Sequence, residues 1–421
     1  MTGFERLIIF TLGTSGDINP MVAVGKAMSA RGYAITFLTS EYFKELIEIA
    51  GFEFVGIGNK EEYLRGNQSS AWDAKNVMDN FIYYHAPAFL PAYQYIEQLQ
   101  NKESAVLLSI GEQNGAVVAA VKYKIPYVKF SISPNLIFSA EKPPAPLCWQ
   151  LPKKMPKFIQ RMFVRYVDTK SMKLFYQHSE IEPYLELRKK LSCPVTYDRK
   201  TNAKLLIGFF PEWFGMRAKD WPKDLKLIGF PLSDPAHESA RFVFDSIIEE
   251  IGSPIVFTTG TGISEAESVF REGRKICELL NLPGLFVGSS GSKSVLSDSA
   301  LCRHIDYIDF EYALPKCRAI VHHGGIGTLS QAVRAGIPQL IRPIKYDQPD
   351  NANRIYQLGL GAFIFPDHFK AGDASKILKA MIDAAPQNKA LTIYSADIKR
   401  SNAIEKACDL IEKKIKELEL P

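Results

Sequence analysis

The sequence predicts an α/β chain of two doubly wound domains, each a parallel sheet covered by helices on both faces. Three observations carry this. Short apolar runs alternate with helix-compatible segments along most of the 421 residues. The second half repeats the grammar of the first. In each half the first run ends in a turn of Gly, Thr and Ser: Gly13-Thr14-Ser15-Gly16, then Thr259-Gly260-Thr261-Gly262.

Taken in order, Arg6 to Thr11 reads as a buried strand, and Leu12 to Pro20 as a loop. A helix is expected from about Met21 to Ala30, ended by Gly32. Strand candidates follow at Tyr33 to Thr39, Phe52 to Ile57, Ala105 to Ser109 and Tyr127 to Ser131, with a helix from Glu41 to Ala50. In the second half they are Pro254 to Thr259, Gly284 to Gly288, His304 to Ile308, Ala319 to His322 and Pro338 to Ile341. Residues 229 to 242 have linker chemistry and divide an N-terminal domain, 1–230, from a C-terminal one, 231–400. Residues 401–421 form a charged final helix, about Asn402 to Leu418, able to cross back and brace the first domain. Doubly wound sheets bind ligands at the carboxyl ends of their strands. Two of them facing across a cleft would set the glycine turns on either side of it.

The most informative stretch is Val321-His322-His323-Gly324-Gly325-Ile326-Gly327-Thr328, followed by Asp347-Gln348-Pro349-Asp350-Asn351. A strand leads in and a helix-compatible run, Leu329 to Ala335, leads out. Glycines let backbone N–H groups approach an anion closely, and a helix start adds about half a positive charge. An imidazole there can donate to a phosphate. This chemistry suits the diphosphate of a nucleotide.

Bulk numbers set the limits. Hydrophobic content of 46% and charged content of 23% are those of a globular chain. A net charge of +5 over this length does not by itself imply nucleic acid. The six cysteines are scattered, with no CxxC pair and no metal-like spacing, which predicts reduced thiols and a cytoplasmic setting. There is no P-loop lysine motif, no visible signal peptide, and no apolar run near the roughly 20 residues a spanning helix needs.

Together these residues resemble the family-1 glycosyltransferases of the GT-B fold, with two Rossmann-like domains. The likeness is greatest to its bacterial rhamnosyl-, sterol and natural-product transferases. It covers nearly the whole chain and rests on Gly13 to Pro20, Phe210-Pro211-Glu212-Trp213-Phe214, Gly229-Phe230-Pro231, Tyr307-Ile308-Asp309, Leu314 to Cys317 and the His322 to Asn351 block. The resemblance implies an inverting transfer of a hexose from a UDP- or dTDP-sugar to a hydroxyl of a lipophilic small molecule or lipid. The nucleotide-sugar is a substrate, so no cofactor is implied. No metal is demanded, because helix dipole, N–H groups and His can offset the leaving-group charge.

Carried over by position, His322 or His323 and the backbone of Gly324, Gly325, Ile326, Gly327 and Thr328 would hold the diphosphate. Spacing to Asp-Gln favours His323, while some bacterial relatives keep only the first histidine, so both stay candidates. Gln331 stands where relatives often place a glutamate on the ribose. Tyr307 and Ile308 match the segment that meets the base, and Thr259, Gly260 and Thr261 the loop beneath the phosphates. Asp347 and Gln348 would hydrogen-bond the sugar. Thr14, Ser15 and Gly16 of the first loop are assigned to the donor as well. Asp17 stands where many members carry a catalytic histidine and some bacterial ones an aspartate. A carboxylate there can take the acceptor's proton.

Each assignment has a plainer counterpart. Asp17 can cap a helix that starts near Pro20. The His doublet can be structural, Asp347 and Gln348 ordinary loop residues, Tyr307 a core aromatic, and Trp213 part of the core or cleft wall. Ser131 to Pro134, His85 and Glu112 are acceptor-side candidates without supporting spacing. At the level of function the rivals are a nucleotide-sugar epimerase on the same fold and a noncatalytic partner protein.

One segment bears on the acceptor. From Lys153 to Lys173 there are seven Lys or Arg against one acid, Asp168. Phe158, Ile159, Met162, Phe163 and Tyr166 recur at helical spacing, opposite much of the charge. The favoured reading is a surface helix packing this stripe on its own domain. The others are peripheral contact of 149–173 with the inner membrane surface and a mouth that admits an amphipathic lipid. Pro143, Pro144 and Pro146 mark a loop that shapes the acceptor site.

Overall fold

The computed structural model describes residues 3–66, 78–112, 114–152, 154–193, 195, 201–232, 238–260, 266–288 and 299–419. The chain divides into two compact units. One comprises Met1–Pro231 with Asn402–Pro421, the other Leu232–Ser401.

In the first unit, β1 (Arg6–Phe10), β2 (Ala34–Thr39), β3 (Glu53–Gly56), β4 (Ala105–Ile110), β5 (Tyr127–Ser131), β6 (Leu205–Gly208) and β7 (Lys226–Leu227) form one sheet. Its order is β3-β2-β1-β4-β5-β6-β7, and every pair is parallel. Leu7, Ile8 and Ile9 are fully buried because helices cover both faces of β1. Phe10 lies opposite Leu38 of β2 and Ser109 of β4, so the chain leaves β1 between two neighbours, at the point where strand order reverses.

The second unit holds β8 (Ile255–Thr258), β9 (Gly284–Val287), β10 (Cys302–Ile305), β11 (Ala319–His322), β12 (Gln339–Ile341) and β13 (Gly361–Phe363), all parallel, in the order β10-β9-β8-β11-β12-β13. Its reversal lies between β8 and β11. Apolar clusters occupy both faces, one around Phe257, Phe270 and Phe286, the other around Phe244, Val256 and Ile320.

The last helix, Ala403–Glu419, places Ala403, Ala407, Cys408, Ile411 and Ile415 in the core of the first unit. Their spacing of about four puts them on one helical face. Arg31, which ends the helix Ser15–Ala30, donates to Glu405 at 2.5 Å and to Asp409 and Glu412 at 2.8 Å. All six cysteines are free thiols, four of them buried.

Several elements depart from the expectations above. The first helix begins at Ser15, not Met21, because Thr14 caps it and Pro20 is accommodated inside it. β10 is Cys302–Ile305, paired with β9 from Gly284 onward, so residues 306–309 belong to the loop beyond its carboxyl end. Strands β6, β7 and β13 have no counterpart among the sequence expectations; they are two to four residues long. In β13, Gly361 is required because a Cβ there would lie 2.1 Å from the Gln339 carbonyl oxygen.

Candidate active site

In the first unit the capping of one helix shapes the loop after β1. Thr14 accepts from the Gly16 N–H at 3.4 Å, and the Thr14 N–H donates to Asp17 Oδ2 at 2.8 Å. This reciprocal box satisfies helix N–H groups and holds the carboxylate at the first turn. The plainer reading of Asp17 therefore describes its hydrogen bonds, and it leaves a role in catalysis compatible. Gly13 has φ of +139°, and a Cβ on it would lie 2.2 Å from Asp17 Oδ2. Only glycine lets the carboxylate sit there.

Tyr84 supports the same loop, and sequence reasoning misses it. It lies in a short helical segment, Phe81–His85, far along the chain and without a motif. Its hydroxyl accepts from the Gly13 N–H at 3.2 Å and donates to the Gly13 carbonyl at 3.3 Å. Burial pushes this phenol up, so it stays protonated and able to donate. The Tyr63 ring meets Tyr84 edge-on at 5.4 Å, and Tyr42 stacks on Tyr63 at 4.1 Å. An aromatic wall thus stands beside Asp17.

The other first-unit candidates separate from this loop. Glu112 pairs with Lys129 at 3.1 Å and accepts from the Tyr127 hydroxyl at 3.2 Å. His85 is a half-buried imidazole against Phe81 and Tyr84, pushed down to about 4 by burial. Trp213 packs on Phe214 and Phe230. Ser131 is buried at the end of β5.

In the second unit, parallel neighbours bring their carboxyl-end loops together. Because β8 and β11 are paired, the Thr259-Gly260 turn meets His323. A Cβ on Gly260 would lie 2.6 Å from His323 Cε1, and one on Gly325 2.6 Å from Nε2. The ring is seated between two glycines. Its Nδ1 is buried and has no hydrogen-bond partner among the described residues, and burial pushes the imidazole down to about 4. Thr261 lies outside the described residues.

The two histidines differ. His322 is buried, its Nδ1 accepts from the Gly324 N–H at 3.1 Å, and Nε2 lies 2.9 Å from Gln339 Oε1. That pattern assigns the proton to Nε2. Burial pushes it down to about 3, so the ring is neutral, with both nitrogens spent on the turn. Beyond it the helix Ile326–Ala335 starts at Gly325 with no side-chain cap, which leaves first-turn N–H groups beside His323.

The loop after β12 adds the Asp-Gln pair. Gln348 is buried, and its side-chain oxygen accepts from the N–H groups of Ile344 at 2.8 Å and Lys345 at 3.2 Å. Its oxygen therefore clamps the loop, and only its amide N–H₂ is left to serve a sugar. Asp347 accepts from Asn351 at 2.8 Å, and Asn351 also donates to the Gly324 carbonyl at 3.0 Å, tying this loop to the glycine turn. Burial pushes the Asp347 carboxyl up to about 6. Tyr307 is 45% exposed and so is not a core aromatic, whereas Ile308 is buried and can offer a base only its backbone. Gln331 is buried and lines a small groove with Phe310, Arg334 and Lys399.

Comparison with known proteins agrees with this architecture. Residues 7–129 match the glycosyltransferase family 28 N-terminal domain, and residues 292–418 the erythromycin biosynthesis protein CIII-like C-terminal domain. Both halves of the chain thus match glycosyltransferase domains, and the whole resembles the family-1-like GT-B glycosyltransferases.

Its relatives include a sterol 3-beta-glucosyltransferase of Arabidopsis thaliana, 24% identical over 93% of this chain. The chain spans 63% of that relative's length. Among solved structures, the kitacinnamycin glycotransferase is 15% identical with a TM-score of 0.75, covering 99% of this chain and all (100%) of its own. VinC, solved in complex with dTDP, is 16% identical with a TM-score of 0.67, covering 98% of this chain and 100% of its own. These similarities establish the GT-B fold.

Proposed function

We propose that this glycosyltransferase moves a hexose from a UDP- or dTDP-sugar to a hydroxyl of a lipophilic small molecule or lipid, with inversion. The observation that carries the reading is His323. It is an imidazole with a buried nitrogen that has no partner among the described residues, seated against two glycines beside the uncapped start of a helix. A buried polar atom without a partner is costly unless a ligand meets it. A diphosphate oxygen can meet it by accepting a hydrogen bond from the neutral ring.

In the reaction, Asp17 takes the proton of the acceptor hydroxyl as that oxygen attacks the anomeric carbon. The bond from that carbon to the diphosphate oxygen breaks, and the nucleoside diphosphate leaves with the electron pair. The first-turn N–H groups after Gly325 and the His323 ring offset its charge. Tyr307 and Ile308 would meet the base, Gln331 the ribose, and Asp347 with Gln348 the sugar.

The test is product analysis with purified protein, a panel of UDP- and dTDP-hexoses and a lipophilic alcohol. The reading requires release of nucleoside diphosphate that depends on acceptor, with a glycoside of inverted anomeric configuration. An isomerised donor formed without acceptor would show an epimerase instead. Failure to bind any of these nucleotides would show a noncatalytic partner.

A further inference from the structure

We infer that the helix Lys157–Tyr176 docks the protein on an anionic lipid surface. Packing of its apolar stripe on its own domain, favoured from sequence, is not what the structure shows. Within the helix only Val164 is fully buried. Phe158, Met162 and Tyr166, four residues apart, are 64%, 68% and 61% exposed, and Ile159 and Phe163 lie exposed beside them. Four-residue spacing puts each row on one helical face, so the stripe points outward. Scattered apolar side chains on a surface need no account, but a contiguous outward row does.

The charge beside the row selects the occupant. Lys154, Lys157, Arg165, Lys170 and Lys173 are all exposed. Lys170 Nζ stands 5.9 Å above the Tyr166 ring, so cation and apolar body share one face rather than opposite ones. Arg161 pairs with Glu141 at 3.5 Å, and the one acid of the helix, Asp168, is half-buried. A basic rim around an apolar row matches anionic headgroups over acyl chains. A second copy of the same face would set like charges against each other. Among the described residues no helix is long and apolar enough to cross a membrane, so the contact is peripheral.

Lipid docking goes beyond the proposed transfer, and its readout needs neither donor nor acceptor. The experiment is co-sedimentation of the full chain with phosphatidylcholine vesicles, with and without phosphatidylglycerol. Binding is expected only to the phosphatidylglycerol vesicles. The combined variant Phe158→Ser, Met162→Ser, Tyr166→Ser, with unchanged circular dichroism, should bind at least about tenfold more weakly. Lys170→Gln with Lys173→Gln should cost about fivefold per charge removed, an effect that added salt erases in the parent. Equal binding to neutral vesicles, undiminished binding by the triple variant, or a dimer in place of vesicle binding would each overturn the inference.

Discussion

The imidazole of His323 fills the space that a side chain at Gly260 would need, at 2.6 Å from an added Cβ. These residues are 63 positions apart in the chain (323 − 260) and meet because β8 and β11 are hydrogen-bonded neighbours. Gly260 also has φ of +71°. Gly260→Ala should therefore displace the ring and strain the turn by about 1–2 kcal/mol. The expected outcome is a weaker nucleoside diphosphate Kd in calorimetry, by about tenfold or more, in a protein that still unfolds cooperatively.

The two histidines should separate by phenotype. His323→Ala should weaken diphosphate binding by about tenfold or more while the urea midpoint moves little. His322→Ala removes a buried pair of hydrogen bonds and orphans the Gly324 N–H and Gln339. It should cost about 2–4 kcal/mol of stability. A doublet in which both variants behave alike would contradict the assignment.

Asp17 is both cap and proposed base. Asp17→Asn keeps an oxygen for the Thr14 N–H, so stability should fall by no more than about 1 kcal/mol. Transfer should nevertheless be abolished, with nucleotide affinity within a few fold of the parent. Turnover retained by this variant would remove Asp17 from the chemistry.

Tyr84→Phe deletes the hydroxyl that grips both sides of Gly13 without emptying the aromatic site. The expected result is a kcat lowered about tenfold, an unchanged donor Kd, and a loss of about 1–2 kcal/mol in urea unfolding. A purely structural tyrosine would lower stability and leave kcat of the folded fraction intact.

Stability should depend on pH in a defined window. His322 sits near 3 and His323 and His85 near 4 when folded, against 6.5 when unfolded. Between these values the unfolded chain holds more protons. Stability is therefore lost as pH falls below about 6.5, each histidine contributing about 1.4 kcal/mol per pH unit. Asp347 opposes this. Its folded carboxyl near 6 keeps a proton that the unfolded chain releases near 3.8, so its contribution falls as pH rises across that window. Urea midpoints from about pH 4 to 7 should rise with pH, and His322→Gln should flatten the slope.

Much of this was legible before any coordinates. Apolar runs such as Leu-Ile-Ile-Phe at residues 7–10 can only be buried strands when helices flank them, and the glycine turns mark where backbone must approach a ligand. Strands β7 and β13 were not legible. Two or three residues carry no period, and their pairing is decided by the neighbouring strand. The helix start at Ser15 is misplaced from sequence because Pro20 looks like a first-turn proline, while Thr14 and Asp17 have already closed the cap upstream.

The histidine doublet shows where the boundary lies. Sequence alone determined the α/β alternation, the glycine turn before a helix, and the presence of two imidazoles and two sugar-competent side chains near it. Spacing to Asp-Gln favours His323, but the sequence carries no information on the hydrogen-bond partners of either ring. Those were decided by Gln339 and Gly324 closing on His322, and by Gly260 and Gly325 seating His323 with one nitrogen unspent among the described residues. Local order sets backbone geometry within a few residues. Hydrogen-bond partners and exposed faces, including the outward stripe of Lys157–Tyr176, depend on which distant strands and helices lie alongside, and only tertiary packing supplies those neighbours.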